Sequence, residues 1–317
     1  EETKEREILK NWFLNFMSKM QPMYSAHLYS EHEDKATNIP AIPPTYSKDA
    51  PLVDGRLIIR DNFDQLLEKY PEFLIFGEDS GAIGDVNQGL EGLQKKYGET
   101  RVADTGIREA SIIGQGIGMA LRGLRPVAEI QYLDYMLYAL QTLSDDLASL
   151  RYRTFGKQKA PLIVRTRGHR LEGIWHSGSQ MGGLIHFLRG MYILTPRNMT
   201  VAAGFYNTLM KSDEPALVIE SLNGYRLKEP IPNNLSEICT PIGVVDVLKE
   251  GKDITVLSYG STLRIVEQVV GSLQNYDIDV ELIDAQSLLP FDLNHKMLES
   301  VKKTNRLLIV EEQWPFA

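Results

Sequence analysis

Short, wholly apolar runs alternating with helix-length segments restrict this chain to a narrow set of folds. Such runs sit at Glu72-Phe73-Leu74-Ile75-Phe76, Val127-Ala128-Glu129-Ile130-Gln131, Pro161-Leu162-Ile163-Val164-Arg165, Tyr192-Ile193-Leu194 and Ala216-Leu217-Val218-Ile219. Helical patterns fill the gaps, over residues 109–121, 134–152 and 201–210. A strand that is apolar on both faces must be covered on both, and a following helix lets the next strand run parallel to it. The expectation is α/β: a three-layer, mostly parallel sheet over residues 55–236. A stretch rich in Pro, Asn and Ser follows at 227–241, and then the alternation restarts. Strands are expected at 253–257, 279–283 and 306–310, with helices at 261–273 and 291–301. This is a second α/β domain over 237–317, with the boundary near residue 236. The sequence starts at Glu1 without Met and stops at Trp314-Pro315-Phe316-Ala317, just after a strand. It reads as a piece of something longer, with the second domain incomplete.

Residues 1–54 differ from the rest. Apolar residues at Ile8, Leu9, Trp12, Phe13 and Phe16 have a helical period with one apolar stripe. Ile39-Pro40-Ala41-Ile42-Pro43-Pro44 reads as extended linker. The expectation is a connector that packs on a neighbour. The length, 317 residues, allows two domains with a core each. A formal net charge of −8 argues against nucleic acid or an anionic membrane surface as main partner. No apolar run is long enough to span a bilayer. The single Cys239 excludes an internal disulfide framework and suits a reducing, cytoplasmic setting.

Nucleotide motifs are weak here. Gly114-Gln115-Gly116-Ile117-Gly118 resembles a dinucleotide fingerprint, but Met119 stands where a further glycine belongs. The run also lies inside a helix, where no free N–H groups meet a phosphate. Helix packing explains it better, because Ala110, Gly114 and Gly118 recur every four residues, and this helix is therefore expected to be deeply buried. Gly260-Ser261-Thr262 opens a helix after a strand and could hold an anion. His169 and His176 share a loop, but no cysteine or paired carboxylate completes a zinc set. No Gly-x-Ser-x-Gly elbow supports a hydrolase.

Glu109 stands out because it opens the small-residue helix and enters the interior with it. A buried carboxylate is a candidate general acid. A helix-capping role at a favourable N-terminus explains it equally well. The second unusual patch runs from Arg165 to Gly178, with two His and three Arg among glycines. It follows a strand, where ligands bind in open α/β sheets. A solvated basic loop is the alternative, and the density of His, Trp and Gly favours function.

Taken in order, these pieces resemble one family. Phe76-Gly77-Glu78-Asp79, Asp104-Thr105-Gly106-Ile107-Arg108-Glu109-Ala110, Gly123-Leu124-Arg125-Pro126-Val127-Ala128-Glu129-Ile130-Gln131 and Trp175-His176-Ser177 look like the beta half of the thiamine diphosphate-dependent decarboxylating component of 2-oxo acid dehydrogenase complexes. The match continues through Leu194-Thr195-Pro196, Ser287-Leu288-Leu289-Pro290-Phe291-Asp292 and Val310-Glu311-Glu312. It covers about residues 55–317, and residues 1–54 resemble the junction of a fused alpha–beta polypeptide. The resemblance implies a pyrimidine-binding transketolase-like domain followed by a transketolase C-terminal-like domain.

The same resemblance implies roles. Glu109 would hydrogen-bond the cofactor's aminopyrimidine, favouring the tautomer whose exocyclic nitrogen removes the thiazolium proton. Tyr135 would pack on the pyrimidine, and Glu78 and Ile107 would join the cofactor-binding set. His176 would serve acyl transfer to a lipoyl group. Backbone carbonyls at Leu162, Leu209, Ser212 and Glu214 match a family potassium site. Tyr138 and Gln141 stand where relatives often have acidic residues, so a carboxylate route for protons between two sites is in doubt. The family's Gly-Asp-Gly site for diphosphate and magnesium is absent, and Asp85 with Asn87 is too closely spaced to imitate it. Magnesium would therefore be held by a missing alpha half. Expected partners are that alpha half and a lipoyl domain, within a homodimer or heterotetramer. The expected reaction is decarboxylation of a branched-chain 2-oxo acid or pyruvate. Rival readings are a transketolase-like or deoxyxylulose phosphate synthase-like transferase, a non-catalytic assembly module, and a nicotinamide oxidoreductase.

Overall fold

The computed structural model describes residues 2–24, 26–170, 176 and 178–312. The chain opens on helix α1 (Glu2–Met20), whose apolar stripe is exposed; Trp12 and Phe16 stack on each other with ring centroids 5.4 Å apart. The segment that follows is tied to the body of the chain. The buried Glu214 carboxylate accepts the amides of Ser30 and Ala36 at 2.7 and 2.8 Å, and Ile42 bridges to Cys239.

The first body runs β1 (Leu52–Asp54), α2 (Gly55–Lys69), β2 (Phe73–Gly77), α3 (Leu93–Tyr97), β3 (Val102–Asp104), α4 (Glu109–Leu121), β4 (Arg125–Ile130), α5 (Leu150–Arg153), β5 (Ile163–Gly168), α6 (Met181–Phe187), β6 (Tyr192–Leu194), α7 (Met199–Met210), β7 (Ala216–Ser221) and β8 (Lys228–Pro230). Strand β1 pairs antiparallel with β8. The second body runs β9 (Asp246–Lys249), β10 (Ile254–Ser258), α8 (Gly260–Leu273), β11 (Val280–Asp284), β12 (Ser287–Leu289), α9 (Lys296–Thr304) and β13 (Leu307–Ile309).

Among the described residues, seven strands form the main sheet in the order β12-β6-β7-β5-β4-β2-β3, all parallel except β12. One face is covered by α2 and α7 through Ile58, Ile59, Phe63, Phe205 and Tyr206. The other is covered by α4, α6 and residues 133–148. The three-layer, mostly parallel sheet expected from the apolar runs is what the chain adopts. The second sheet has the order β13-β10-β11-β9, with β9 antiparallel. It has a core of its own around Val256, Leu263 and Leu282 and is joined to the first body: β12 crosses back to pair with β6, and Leu257, Tyr259, Ile283 and Met297 join the first core.

Three expectations need correction. Residues 134–152 are not one long helix but a tight helical turn at Leu133–Tyr138, a wide π-helical turn at Thr142–Ala148, and then α5. Buried residues explain the change: Leu133, Met136 and Ala139 recur every three positions, then Leu143 and Leu147 every four. The chain tightens and then widens to keep one apolar face on the sheet. In α4 the stripe of Gly114 and Gly118 lies on the surface, where an added Cβ would meet nothing within 4 Å. The close approach is made by Gly116 instead, whose Cβ would fall 2.7 Å from the Leu162 side chain. Helix α9 starts later than expected because Asp292 caps it, accepting the amides of Lys296 and Met297 at 2.8 and 2.9 Å.

Candidate active site

In a parallel sheet the loops after the strands gather at one edge, and here that edge carries the predicted residues. Glu78 follows β2, Glu109 begins α4 after β3, and Tyr135 lies on the turn after β4. The Asp104 carboxylate pins two of these loops together, accepting the amides of Gly81 and Ala82 at 2.7 and 2.9 Å. Glu109 is 8 % exposed and sits at the positive end of its helix. The N-cap position itself belongs to Arg108, so Glu109 is the first helical residue and not the capping one. Beside it, the Glu78 carboxyl is pushed up by burial and then by the negative charges of Asp79 and Glu109. Burial and the neighbouring Tyr132, Glu78, Asp134 and Glu109 likewise raise the Tyr135 phenol. Glu78, Glu109 and Tyr135 therefore share one electrostatic neighbourhood. Ile107 is exposed at its rim.

His176 joins the group through aromatic contacts. Its Nε2 lies 2.7 Å from the Tyr135 hydroxyl, and its ring lies flat on Tyr132 at 4.4 Å. Trp175 and Ser177, on either side, lie outside the described residues. Tyr132 was not among the residues singled out from sequence. An aromatic residue at a strand end carries no mark that separates it from core packing.

His169, expected on the same loop as His176, goes elsewhere. It is buried against the second body, stacked on Tyr259 at 5.1 Å, and its Nδ1 accepts the Ser261 amide at 2.9 Å. Burial lowers it to about 4, so the ring is neutral. Gly260-Ser261-Thr262 is therefore no anion pocket; a neutral imidazole already takes its free N–H. Gly260 is required there, because its φ is +53° and a Cβ would stand 2.5 Å from His169 Nδ1.

The solvated-loop alternative fails for Arg167, and the strand expected to end at Arg165 runs on through it. Both lie within β5, fully buried. Arg165 pairs with Glu220 at 3.1 Å, with Asp85 at 2.9 Å and with Glu129. Arg167 pairs with Asp85 and Glu129, each at 2.9 Å, and donates to the Gln131 carbonyl at 3.1 Å. Burial opposes ionisation of Asp85, but the two guanidiniums hold its carboxyl low. Glu129, the most enclosed, is pushed up by burial in spite of them. Gln131 then donates from Nε2 to Asp79 at 2.9 Å, so the buried arginines brace the loops that carry the site.

A model of the transketolase pyrimidine binding domain matches residues 53–228, and one of the transketolase C-terminal domain matches residues 243–317. Over 256 residues the chain is 36% identical to the pyruvate dehydrogenase E1 component subunit beta of Acholeplasma laidlawii, covering 80% of this chain and 77% of that one. The chain belongs to the beta-subunit family of 2-oxo acid dehydrogenases. The 2-oxoisovalerate dehydrogenase subunit beta of Bacillus subtilis is 31% identical over 248 residues, covering 78% of this chain and 75% of that one. Among solved structures, a split-gene transketolase described as an inactive beta4 tetramer superposes with a TM-score of 0.65 at 17% identity, covering 82% of this chain and 80% of that one. A Pichia stipitis transketolase superposes at 0.62 with 15% identity, covering 99% of this chain but 47% of its own length. These likenesses show the fold, and the chain spans about half of that transketolase.

Membership of the beta-subunit family implies thiamine diphosphate, and the residues present fit its pyrimidine side. A buried carboxyl, a neighbouring carboxyl and an aromatic ring lie close enough to act on one another's charge. Around them the oxygens Ser80 Oγ, Thr105 Oγ1 and Asp134 Oδ2 are buried without a hydrogen-bond partner among the described residues. The potassium carbonyls fit less well. The Leu209 carbonyl already accepts the Ser212 amide at 3.1 Å and the Arg125 guanidinium at 2.6 Å, while Leu162 accepts the Ala216 amide at 3.1 Å. A guanidinium stands where a bare cation would need those lone pairs. Among the described residues, no group of three His, Cys, Asp or Glu side chains could hold a metal ion.

Proposed function

We propose that this chain supplies the acid–base half of a thiamine diphosphate-dependent decarboxylation site, acting on a branched-chain 2-oxo acid or pyruvate. What carries the proposal is the gathering of Glu109, Glu78, Tyr135 and His176 at one sheet edge. When bound, the cofactor's thiazolium accepts the electron pair left as carbon dioxide departs. Glu109 would hold the proton at the aminopyrimidine ring nitrogen, in a site dry enough to make that hydrogen bond strong. Glu78, with its raised affinity for a proton, stands beside Glu109 as a reserve. The Tyr135 ring would support the pyrimidine face, with Ile107 at the entrance. His176 would act as acid or orienting donor when the acyl group passes to a lipoyl domain. Diphosphate and magnesium would be held by an alpha half, in a heterotetramer placed in the cytoplasm, a setting that suits the free Cys239 thiol.

The test is decarboxylation of a panel of 2-oxo acids by this chain assembled with its alpha half, thiamine diphosphate and magnesium. Glu109→Gln should lower kcat by roughly 10²–10⁴-fold, the usual worth of general acid–base assistance. Activity retained within threefold would remove Glu109 from the chemistry. Failure on every 2-oxo acid, with transfer to a sugar phosphate instead, would favour the transketolase-like reading.

A further inference from the structure

The observation that points furthest is the aromatic corner holding His176. Strand β4 ends at Ile130, and the backbone beyond it is fixed by buried groups: the Gln131 carbonyl accepts from Arg167 at 3.1 Å and its amide side chain donates to Asp79 at 2.9 Å. Tyr132 leaves this clamp in extended conformation, and its carbonyl accepts the Tyr135 amide at 3.0 Å. The two rings meet edge to face, with centroids 5.9 Å apart. The His176 imidazole fits into the angle between them. It is parallel to Tyr132 within 6° at 4.4 Å and perpendicular to Tyr135, with Nε2 at 2.7 Å from the hydroxyl. The His176 backbone has φ +55°, a conformation that local preference does not favour. Two side chains on a rigid turn therefore bear on the ring plane and on the direction of Nε2.

We propose that Tyr132 is a positioning residue for His176. Its ring is a platform that aligns the imidazole for acyl transfer while leaving decarboxylation to Glu109. This rests on the reading of His176 given above. A stacked aromatic pair favours one ring orientation over the others. Removal of the platform therefore lets the imidazole rotate away from its partner.

The experiment uses the chain assembled with its alpha half and compares Tyr132→Leu, Tyr132→Phe and His176→Gln. Two rates are measured: decarboxylation with an artificial electron acceptor, and reductive acylation of a free lipoyl domain. Isotopically labelled histidine reports, by nuclear magnetic resonance, the ring-current shift that a stacked Tyr132 imposes on His176. Tyr132→Leu should abolish that shift and lower lipoyl acylation roughly 2- to 12-fold, while decarboxylation falls by less than about twofold. Tyr132→Phe, which keeps the platform, should restore both signals. An unchanged shift in Tyr132→Leu, or an equal fall in the two rates, overturns the proposal. Lipoyl acylation left intact in His176→Gln overturns instead the role of His176, and does so whatever the ring-current shift shows.

Discussion

Replacing His169 by glutamine should flatten the acid side of this protein's stability curve. In the fold the imidazole is enclosed, its Nδ1 takes the Ser261 amide, and burial holds it at about 4, against 6.5 for a free side chain. As pH falls below 6.5 the unfolded chain takes up a proton that the folded chain refuses. Stability is therefore lost progressively down to about pH 4 and is fully present above 6.5. At about 1.4 kcal/mol per pH unit, the window from 6.5 to 4 corresponds to about 3 kcal/mol. Asp284 complicates any direct measurement. Burial lifts its carboxyl to about 6, which Arg197 at 2.9 Å only partly offsets, so its penalty is relieved over nearly the same window as pH falls. The comparison must therefore be a difference. Urea unfolding of the wild-type chain and of His169→Gln, followed at about pH 7 and about pH 4.5, cancels Asp284 and every other shared carboxylate. Glutamine keeps an acceptor for the Ser261 amide but cannot be protonated. The wild type should lose about 2–3 kcal/mol more than the variant across that range. Parallel losses in the two proteins would refute a neutral, buried His169.

Gly116→Val should destabilise the chain by about 1–3 kcal/mol through overpacking, because the Cβ meets Leu162 at 2.7 Å. Gly114→Ala, one turn-face away with open space around it, should be neutral or stabilising by up to about 1 kcal/mol, with thermal unfolding distinguishing the two. Arg167→Met should cost about 3–5 kcal/mol, as removing one partner of a buried ion pair does, and an unchanged Tm would contradict the brace beneath the site.

The sequence was most transparent where burial is simplest. Strands covered on both faces are mostly apolar, so Phe73–Gly77 and the first four residues of β7, 216–219, announce themselves. Glu109 was visible because a carboxylate at the head of an apolar helix is costly. Arg167, and with it the charged face it shares with Arg165, was hidden by the same logic. Two charges next to a glycine-rich stretch resemble a loop, and only their spacing of two, matched by Glu129 opposite Arg165 in register, betrays a strand with a charged face. Small residues at every fourth position of α4 pointed to the wrong face: Gly114 and Gly118 have open space around them, and the close approach is made between them by Gly116 on Leu162. The π-helical turn at Thr142–Ala148 was unreadable because widening a helix by a fraction of a residue leaves the apolar pattern looking helical.

Strand β12 has a bearing on how the protein comes into being. The edge of the main sheet at β6 is completed by residues 287–289, which the ribosome makes after β10 and β11 of the second sheet. During synthesis the first body therefore waits with β6 open, a template for any other extended chain nearby. Closure comes only when β12 arrives, so the two sheets mature as one cooperative unit rather than in sequence. A nascent chain stalled before residue 287 would expose that edge, which makes the timing of translation part of what protects this fold from misassembly.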